Sequence, residues 1–505
     1  VAGLGACLLL PERFAVNVPV RNALFGMSAA PPAPEVLGSR IRVPPGFSIE
    51  LYAEVPRVRW LRATSSGDLL ASVPRDGKVV LIERDGDGDG RSDGVRTVLE
   101  GLNRPHGIDV AGGYLYVGET DAVARVGFDP LTGRTSGPLE RIVTGLPAGG
   151  NHWTRTVRIG PDGALYVAVG SSCNVCVEDD PRRAALLRFA ADGSGGEVFA
   201  SGLRNAVGFD WQPDTGVLYA TDNGRDLLGD DFPPCELNRV VEGGFYGWPF
   251  ANGDRVSDPD LGAGREQEIS TSISPAHDFR AHTAPLGIVF LQRPLAPGFP
   301  RGTAIAALHG SWNRTRKDGY EVVSLHWNGD GMVEERRFVW GFLENDAVIG
   351  RPVDVAVGAD GAVYVSDDYA GAVYRVAPGT ARAALPGGGP GPRAALAAVA
   401  EDRAGDAASA PARGADPLAA LPAPERTAAR ERGAALYAAH QCARCHEAEG
   451  AERGMVAKPL GELRGRYDLR ALAEFFLAPT PPMPALPLSE PERRDLAVFL
   501  LETRG

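Results

Sequence analysis

The sequence predicts a mainly β protein: a six-bladed β-propeller followed by a second, small all-α domain. Three observations predict it. A turn-then-strand unit recurs six times, an Ala/Pro/Gly-rich stretch interrupts the chain after the sixth, and helical patterning follows that stretch. The recurring unit is a glycine launching a short apolar strand. It reads Gly67-Asp68-Leu69-Leu70, Gly113-Tyr114-Leu115-Tyr116-Val117, Gly163-Ala164-Leu165-Tyr166-Val167, Gly216-Val217-Leu218-Tyr219-Ala220, Gly302-Thr303-Ala304-Ile305 and Gly361-Ala362-Val363-Tyr364-Val365. Successive launches lie 46, 50, 53, 86 and 59 residues apart. Several strands per repeat at roughly 40–50 residues is the period of propeller blades. A two-sheet sandwich would not produce that periodicity. The long interval implies an insertion, placed around residues 252–282.

The boundaries follow. Residues 1–34 form a lead-in, 35–377 the propeller, 378–424 a linker too poor in large apolar side chains to order itself, and 425–505 the helical domain. In the last, Thr427 to Ala439 and Glu490 to Glu502 read as helices, the second capped by Ser489. The lead-in opens on Val1 to Leu10, which is almost wholly apolar but too short to span a bilayer. It reads as the tail of a signal or anchor segment. Leu4-Gly5-Ala6-Cys7 loosely matches a lipoprotein cleavage box, though Leu8 to Leu10 spoil the match.

With 505 residues, 44 % hydrophobic and 23 % charged, the chain has the composition of a multi-domain globular protein. Its formal charge of −12 argues against nucleic acid as a partner. Of the six cysteines, Cys173 and Cys176 are spaced to close a small disulfide ring or to remain two loop thiols, and Cys235 has no obvious mate.

Cys442-Ala443-Arg444-Cys445-His446 is a CxxCH run. That spacing lets two thioethers form on the porphyrin vinyls while the adjacent His reaches the iron, so a covalent c-type haem is expected on Cys442, Cys445 and His446. The sixth ligand is expected to be Met483, on a Pro-rich stretch before the last helix; Met455 is the rival. With Gly433 and Tyr437 on the first helix and Phe499 and Leu500 on the last, the region resembles a class I cytochrome c.

In the propeller, polar clusters sit at predicted strand ends, where loops converge on a central pocket. They are Asn151-His152-Trp153-Thr154-Arg155, Gly202-Leu203-Arg204-Asn205, Thr221-Asp222-Asn223-Gly224-Arg225-Asp226, Pro233-Pro234-Cys235-Glu236-Leu237-Asn238 and Gly243-Gly244-Phe245-Tyr246-Gly247-Trp248-Pro249. His152 has the chemistry of a general base.

Together, over residues 40 to 377, these segments resemble the quinoprotein sugar dehydrogenases, six-bladed propellers that bind pyrroloquinoline quinone (PQQ) and calcium. The similarity is greatest to the L-sorbosone and aldose sugar dehydrogenase branch. The resemblance implies that His152 takes the proton of the sugar hydroxyl as hydride passes to the quinone. It also implies that Arg204 and Asn205 contact the quinone, and that the Gly224 and Arg225 carbonyls hold the calcium that polarises it. Arg351, in Gly350-Arg351-Pro352-Val353, matches one arginine of the family's pair, while Val353 stands where the second would be. Arg314, in Trp312-Asn313-Arg314, is the expected counterpart of a cofactor-binding lysine. His106 and His282-Thr283-Ala284-Pro285 are expected to line the same mouth.

A second calcium site is expected at Asp85, Asp87, Asp89 and Asp93, which follow the DxDxDG alternation, although position twelve is Arg96 rather than Glu. The reading that results is a periplasmic quinohaemoprotein. Its substrate is a sugar or aldehyde, its outlet a downstream periplasmic electron acceptor, and its membrane contact at most the N-terminal segment. Two rivals are a non-catalytic propeller that carries a cytochrome to a partner, and a calcium-dependent propeller lactonase.

Overall fold

The computed structural model describes residues 15, 17, 29–328, 331–379, 418, 422–440, 442–446, 460, 463, 469–476 and 488–503, with 444, 445, 471 and 474 by backbone alone. The chain divides into two compact units, Val1–Ala384 and Leu385–Gly505.

The first unit is the six-bladed propeller. Blade 1 comprises Leu61–Ala63, Leu69–Val73, Lys78–Ile82 and Val95–Leu99, and blade 2 Ile108–Ala111, Tyr114–Gly118, Ala122–Asp129 and Arg134–Thr144. Blade 3 has Arg155–Ile159, Leu165–Val169, Ala185–Phe189 and Glu197–Ser201, with Gly244–Phe245 added in parallel at its edge. Blade 4 comprises Ala206–Trp211, Leu218–Asp222, Cys235–Val240 and His277–Phe279. Blade 5 has Pro285–Phe290, Ala304–Leu308, Glu321–Trp327 and Val333–Val339. Blade 6 takes Pro352–Val357, Val363–Asp367 and Ala372–Pro378 from late in the chain and its outer strand, Phe47–Glu54, from the beginning. That antiparallel pairing closes the ring and hides the edge that blade 6 would otherwise expose.

Each launch glycine identified in the sequence opens the second strand of a blade, with φ between +69° and +94°. Five of these second strands, in blades 1, 3, 4, 5 and 6, are buried along their whole length, because a neighbouring blade covers each face. The insertion lies inside blade 4, between its third and fourth strands. It begins earlier than the sequence indicated, since Gly244–Phe245 already departs to blade 3, and it carries the hairpin Ala251–Asn252/Val256–Ser257 and the helix Glu266–Thr271.

The innermost strands are tied by a buried ionic ring. Asp109 of blade 2, Asp210 of blade 4 and Asp354 of blade 6 each accept the backbone N–H of the next blade's first strand, from Ile159 (2.7 Å), Phe290 (2.8 Å) and Leu61 (2.7 Å). Arg62 pairs with Asp109 at 2.8 Å and Arg158 with Asp210 at 2.9 Å. Gly287 of blade 5 has no room for a side chain, because a Cβ there would lie 1.9 Å from Asp354 Oδ1. Removing Asp210 takes from buried Arg158 its 2.9 Å partner and leaves it only Asp109 at 3.9 Å, an incompletely compensated buried charge. Asp210→Ala is therefore expected to lower unfolding free energy by about 3–5 kcal/mol, measured by denaturant titration. A loss under about 1 kcal/mol would show that the ring does not join the blades.

The second unit contains helices Ala423–Ala439, Ala443–His446, Leu469–Phe475 and Glu490–Thr503. The first starts four residues before the expected Thr427, with Pro424 in its first turn, where a missing N–H costs nothing. Ser489 caps the last helix together with Glu492, whose carboxylate accepts the Ser489 N–H at 2.8 Å. The long helices cross at Gly433, where a Cβ would meet Asp495 O at 2.2 Å and Phe499 Cβ at 2.6 Å. Tyr437 packs on Phe499 (centroids 5.4 Å apart), and Arg432 pairs with Asp495. No helix among the described residues is long and apolar enough to cross a membrane.

Candidate active site

In an antiparallel hairpin the first residues of one strand lie beside the last of the next, so the start of each blade's first strand and the end of its second reach the same face. There the propeller opens a cleft lined among others by Arg59, His152, Trp153, Arg204, Asn205 and His309. Asn223, Gly224, Asp226, Cys235, His282 and Trp312 complete its working surface.

His152 is held by its Nδ1, 2.8 Å from Ser171 O and 2.9 Å from Ser171 Oγ. A carbonyl only accepts, so Nδ1 carries the hydrogen and Nε2 the lone pair. Burial, reinforced by the Arg204 charge, pushes the imidazole down to about 3. The loop that presents it is stapled from beneath by buried arginines. Arg155 donates to His152 O (3.0 Å) and Thr154 O (2.7 Å), and Arg183 to Ala148 O and Gly149 O (both 2.8 Å).

Beside His152, Asn205 donates its backbone N–H to Asp222 (2.6 Å), and its Oδ1 is buried with no hydrogen-bond partner among the described residues. Burial pushes the Asp222 carboxyl up to about 7. Both side chains lean on Gly170, where a Cβ would stand 2.5 Å from Asn205 Oδ1 and 2.6 Å from His152 Cβ.

Arg204 is 4 % exposed, and its five N–H groups meet five acceptors. Nε donates to Asn174 O, Nη1 to Asn223 O and Gly224 O, and Nη2 to Asn174 Oδ1 and Asp226 Oδ2, at 2.9–3.3 Å. What it offers a ligand is positive charge and a flat face. Gly224 itself must be glycine, since a Cβ would lie 2.5 Å from Pro234 O. Arg225 turns its side chain away from the cleft, onto Asp258 (2.7 Å) and Asp260 (2.8 Å).

The structure places the two remaining predicted arginines differently from the sequence reading. Arg314 is outside the lining, because its guanidinium is taken up by Asp230 O, Ala281 O and the Asp231 carboxylate. Arg351 sits behind the lining, donating Nη2 to His309 Nδ1 at 3.1 Å. His309 in turn donates Nε2–H to Asp368 (3.0 Å), which also accepts from Arg59 (2.6 Å). This Arg351–His309–Asp368–Arg59 relay fixes a second cation, Arg59, on the cleft wall. Burial, followed by the Arg351 charge, holds His309 down at about 4.

His106 is also behind the lining. It is fully buried and supports Trp153 edge-on (centroids 5.6 Å apart), with Arg104 4.2 Å over the same ring. His282 does line the cleft. Its Nε2 donates to Gly229 O (2.8 Å), and its Nδ1 is buried 3.5 Å from Asp226 Oδ1. His282 and Ala284 hold φ of +63° and +53°, strain of the kind that persists at ligand sites. Cys235 lines the wall with its thiol pushed up to about 11 by burial. Cys173 and Cys176 form a disulfide.

Arg59, Asn174 and His309 escaped the sequence reading, yet a signal existed for one of them. His309 lies seven residues after its launch glycine, as do Gly170, Asn223 and Asp368 in their blades.

Away from the cleft, Asp85, Asp87 and Asp89 bring carboxylate oxygens within 4.8 Å of one another. Asp93 is not part of that group and instead accepts from Gly86 N at 3.2 Å. In the second unit, Cys442 precedes the short helix and His446 ends it, and His446 N donates to Cys442 O at 3.1 Å. The Cys445 side chain, Met455 and Met483 lie outside the described residues, as do residues 1–14 and 380–417.

A family model for glucose/sorbosone dehydrogenase matches residues 117–375. The chain belongs to that family. Among its relatives, a pyrroloquinoline quinone-dependent pyranose dehydrogenase of Coprinopsis cinerea is 27 % identical over 353 residues, which cover 55 % of this chain and 47 % of the relative. The chain thus spans about half the length of that fungal protein. An aldose sugar dehydrogenase of Escherichia coli is 24 % identical over 246 residues, 45 % of this chain and 61 % of the relative. The glucose/sorbosone dehydrogenase fold is shared with the holo PQQ domain of the Coprinopsis enzyme, at a TM-score of 0.58 and 23 % identity over 70 % of this chain and all of that domain.

Proposed function

We propose that the propeller oxidises a sugar at PQQ bound in the cleft, and that the electrons leave through a c-type haem on the second unit. The observation that carries this reading is His152, a neutral imidazole with its Nδ1–H committed to Ser171 and its Nε2 lone pair left for a substrate proton, in the wall of a cationic cleft. The lining fits a flat polyanionic quinone. Arg59 and Arg204 supply positive charge, Trp153 and Trp312 supply aromatic surface, and Asn205 Oδ1 is a buried polar atom with no hydrogen-bond partner among the described residues.

His152 Nε2 would take the hydroxyl proton while the hydrogen on the same carbon leaves as hydride. PQQ, when bound, supplies the two-electron acceptor for that hydride. Asn205, fixed by Asp222, would present its side-chain oxygen, and the Gly224 and Arg225 carbonyls would hold calcium. The three converging carboxylates of Asp85, Asp87 and Asp89 offer the hard oxygen donors of a second calcium site.

Cys442, Cys445 and His446 would bind the haem, with Met483 as the sixth ligand. The close crossing of Ala423–Ala439 and Glu490–Thr503 at Gly433 supports a cytochrome c reading of this unit. The Cys173–Cys176 disulfide supports an oxidising, periplasmic location. A downstream periplasmic protein would then accept the electrons.

The test is to mix the purified full chain with PQQ, calcium and a panel of aldoses and aldehydes, and to follow the haem absorbance. Sugar-dependent reduction is the expected result. If dithionite reduces the haem and no sugar or aldehyde does, the quinoprotein reading fails.

A further inference from the structure

Between the strands Leu165–Val169 and Ala185–Phe189 runs a segment with no strand of its own, at the edge of the cleft. Its shape is set by a four-residue ring, Cys173-Asn174-Val175-Cys176, closed by the disulfide. The ring presents one polar side chain, and that side chain makes contacts out of proportion to its size. Asn174 Oδ1 accepts from Arg204 Nη2 (2.9 Å) and from Asp226 N (2.8 Å), and Asn174 Nδ2 donates to Asp226 O (3.0 Å). Its backbone carbonyl accepts from Arg204 Nε (2.9 Å).

Two of the five Arg204 N–H groups therefore end on Asn174. Both backbone groups of Asp226 do so as well, which fixes the far end of the Asn223–Asp226 turn. The ring also reaches the other side of the cleft: Cys173 O accepts from Ser171 Oγ (2.8 Å), and Ser171 holds His152 Nδ1.

We propose that Asn174 is a positioning residue for Arg204 and for the carbonyls of the Asn223–Asp226 turn, and that the disulfide ring makes cofactor retention depend on its own oxidation state. The proposal rests on the cleft being the PQQ site. Both cysteines are half-buried, so a small thiol reagent can reach them. A dithiol such as dithiothreitol gives up two electrons and two protons, the S–S bond breaks to leave two thiols, and the dithiol closes to its own disulfide. The open segment regains backbone freedom, and Asn174 no longer meets four partners in one geometry. Arg204 Nε and Nη2 then lose neutral acceptors inside a buried site, and the turn is no longer clamped.

The experiment uses the full chain, first without cofactor. Peptide-level hydrogen exchange is compared for wild type, Asn174→Ala, Asn174→Asp and the double variant Cys173→Ser/Cys176→Ser, each with and without dithiothreitol. PQQ affinity is then read by fluorescence titration in calcium, and sugar KM and kcat at saturating PQQ. Asn174→Ala is expected to deprotect residues 222–228 and to weaken PQQ by about tenfold or more, with sugar KM unchanged. Asn174→Asp keeps an oxygen to accept from Arg204 Nη2 and Asp226 N but loses the donor to Asp226 O, and should fall between. Dithiothreitol should reproduce the double-serine phenotype in wild type, reversibly, and do nothing further to the double variant.

The proposal is overturned if Asn174→Ala and Asn174→Asp match wild type in exchange and in affinity. Its redox part is overturned if labelled, fully reduced wild type binds PQQ as before. If oxidised wild type takes up no PQQ, the quinoprotein reading is what fails, and exchange at residues 222–228 still decides the role of Asn174.

Discussion

Replacing His152 with alanine is expected to lower kcat for sugar oxidation by about 10²–10⁴-fold, the usual range for loss of a positioned general base, while PQQ affinity stays within about threefold. The side chain contributes no buried charge, because burial and Arg204 hold it neutral, so its removal leaves no unpaired ion behind. The pH dependence carries the sharper test. A histidine with an ordinary pKa would lose most of its basic form between pH 7 and pH 5. His152 is pushed down to about 3, so its Nε2 lone pair should persist across that window. Histidine C–H resonances of the cofactor-free protein, compared between wild type and His152→Ala, should show no titration of this ring above about pH 4. A midpoint near 6.5 would remove the burial argument. The linkage to folding has a definite sign. Between its folded and unfolded values the unfolded chain binds the extra proton, so this contribution is fully present above about pH 6.5 and is lost as pH falls towards 3. His309, held down at about 4, adds a contribution of the same sign.

Changing both Cys442 and Cys445 to serine is expected to abolish covalent haem altogether, seen as loss of the haem mass from the denatured chain. It should leave sugar-dependent reduction of a small soluble dye within about twofold of wild type. The two effects separate because the cysteines lie in residues 385–505 and the cleft lies in the propeller unit. Under the proposed function, the shared chain would make electron delivery in wild type intramolecular, at an effective concentration set by the connecting segment. Sugar-dependent reduction of an added cytochrome should accordingly fall steeply in the serine variant, even though the dye rate holds. Equal loss of the dye rate would contradict the separation of oxidation and outlet.

Much of this architecture is legible in the sequence because it depends on local chemistry. The six launch glycines are forced by turns that need positive φ, so they mark the second strand of every blade. The helix crossing at Gly433 has a related cause: with Asp495 O and Phe499 Cβ of the last helix so near, only a glycine lets the two backbones come that close. Long-range partner choice is not written in any local pattern. Arg314 has the right charge and neighbourhood for a cofactor contact, but Asp230, Asp231 and Ala281 capture it first. Arg59 carries no motif and becomes part of the cleft only because blade 6 delivers Asp368 to it. The insertion in blade 4 begins before residue 252 because the chain crosses to blade 3 at Gly244–Phe245, a pairing between blades that no local pattern signals.

The outer strand of blade 6 comes from the beginning of the chain, and this sets an order of events during synthesis. Phe47–Glu54 is made early but has no partner until Ala372–Pro378 has been added. Through that interval it is an unpaired apolar edge, the kind of surface that invites misassociation or chaperone capture. The Arg59–Asp368 pair spans 309 residues and can form only when the same gap closes. One wall of the cleft is thus completed by the last step of ring closure, so a ligand that needs Arg59 in place would distinguish finished propellers from nascent ones.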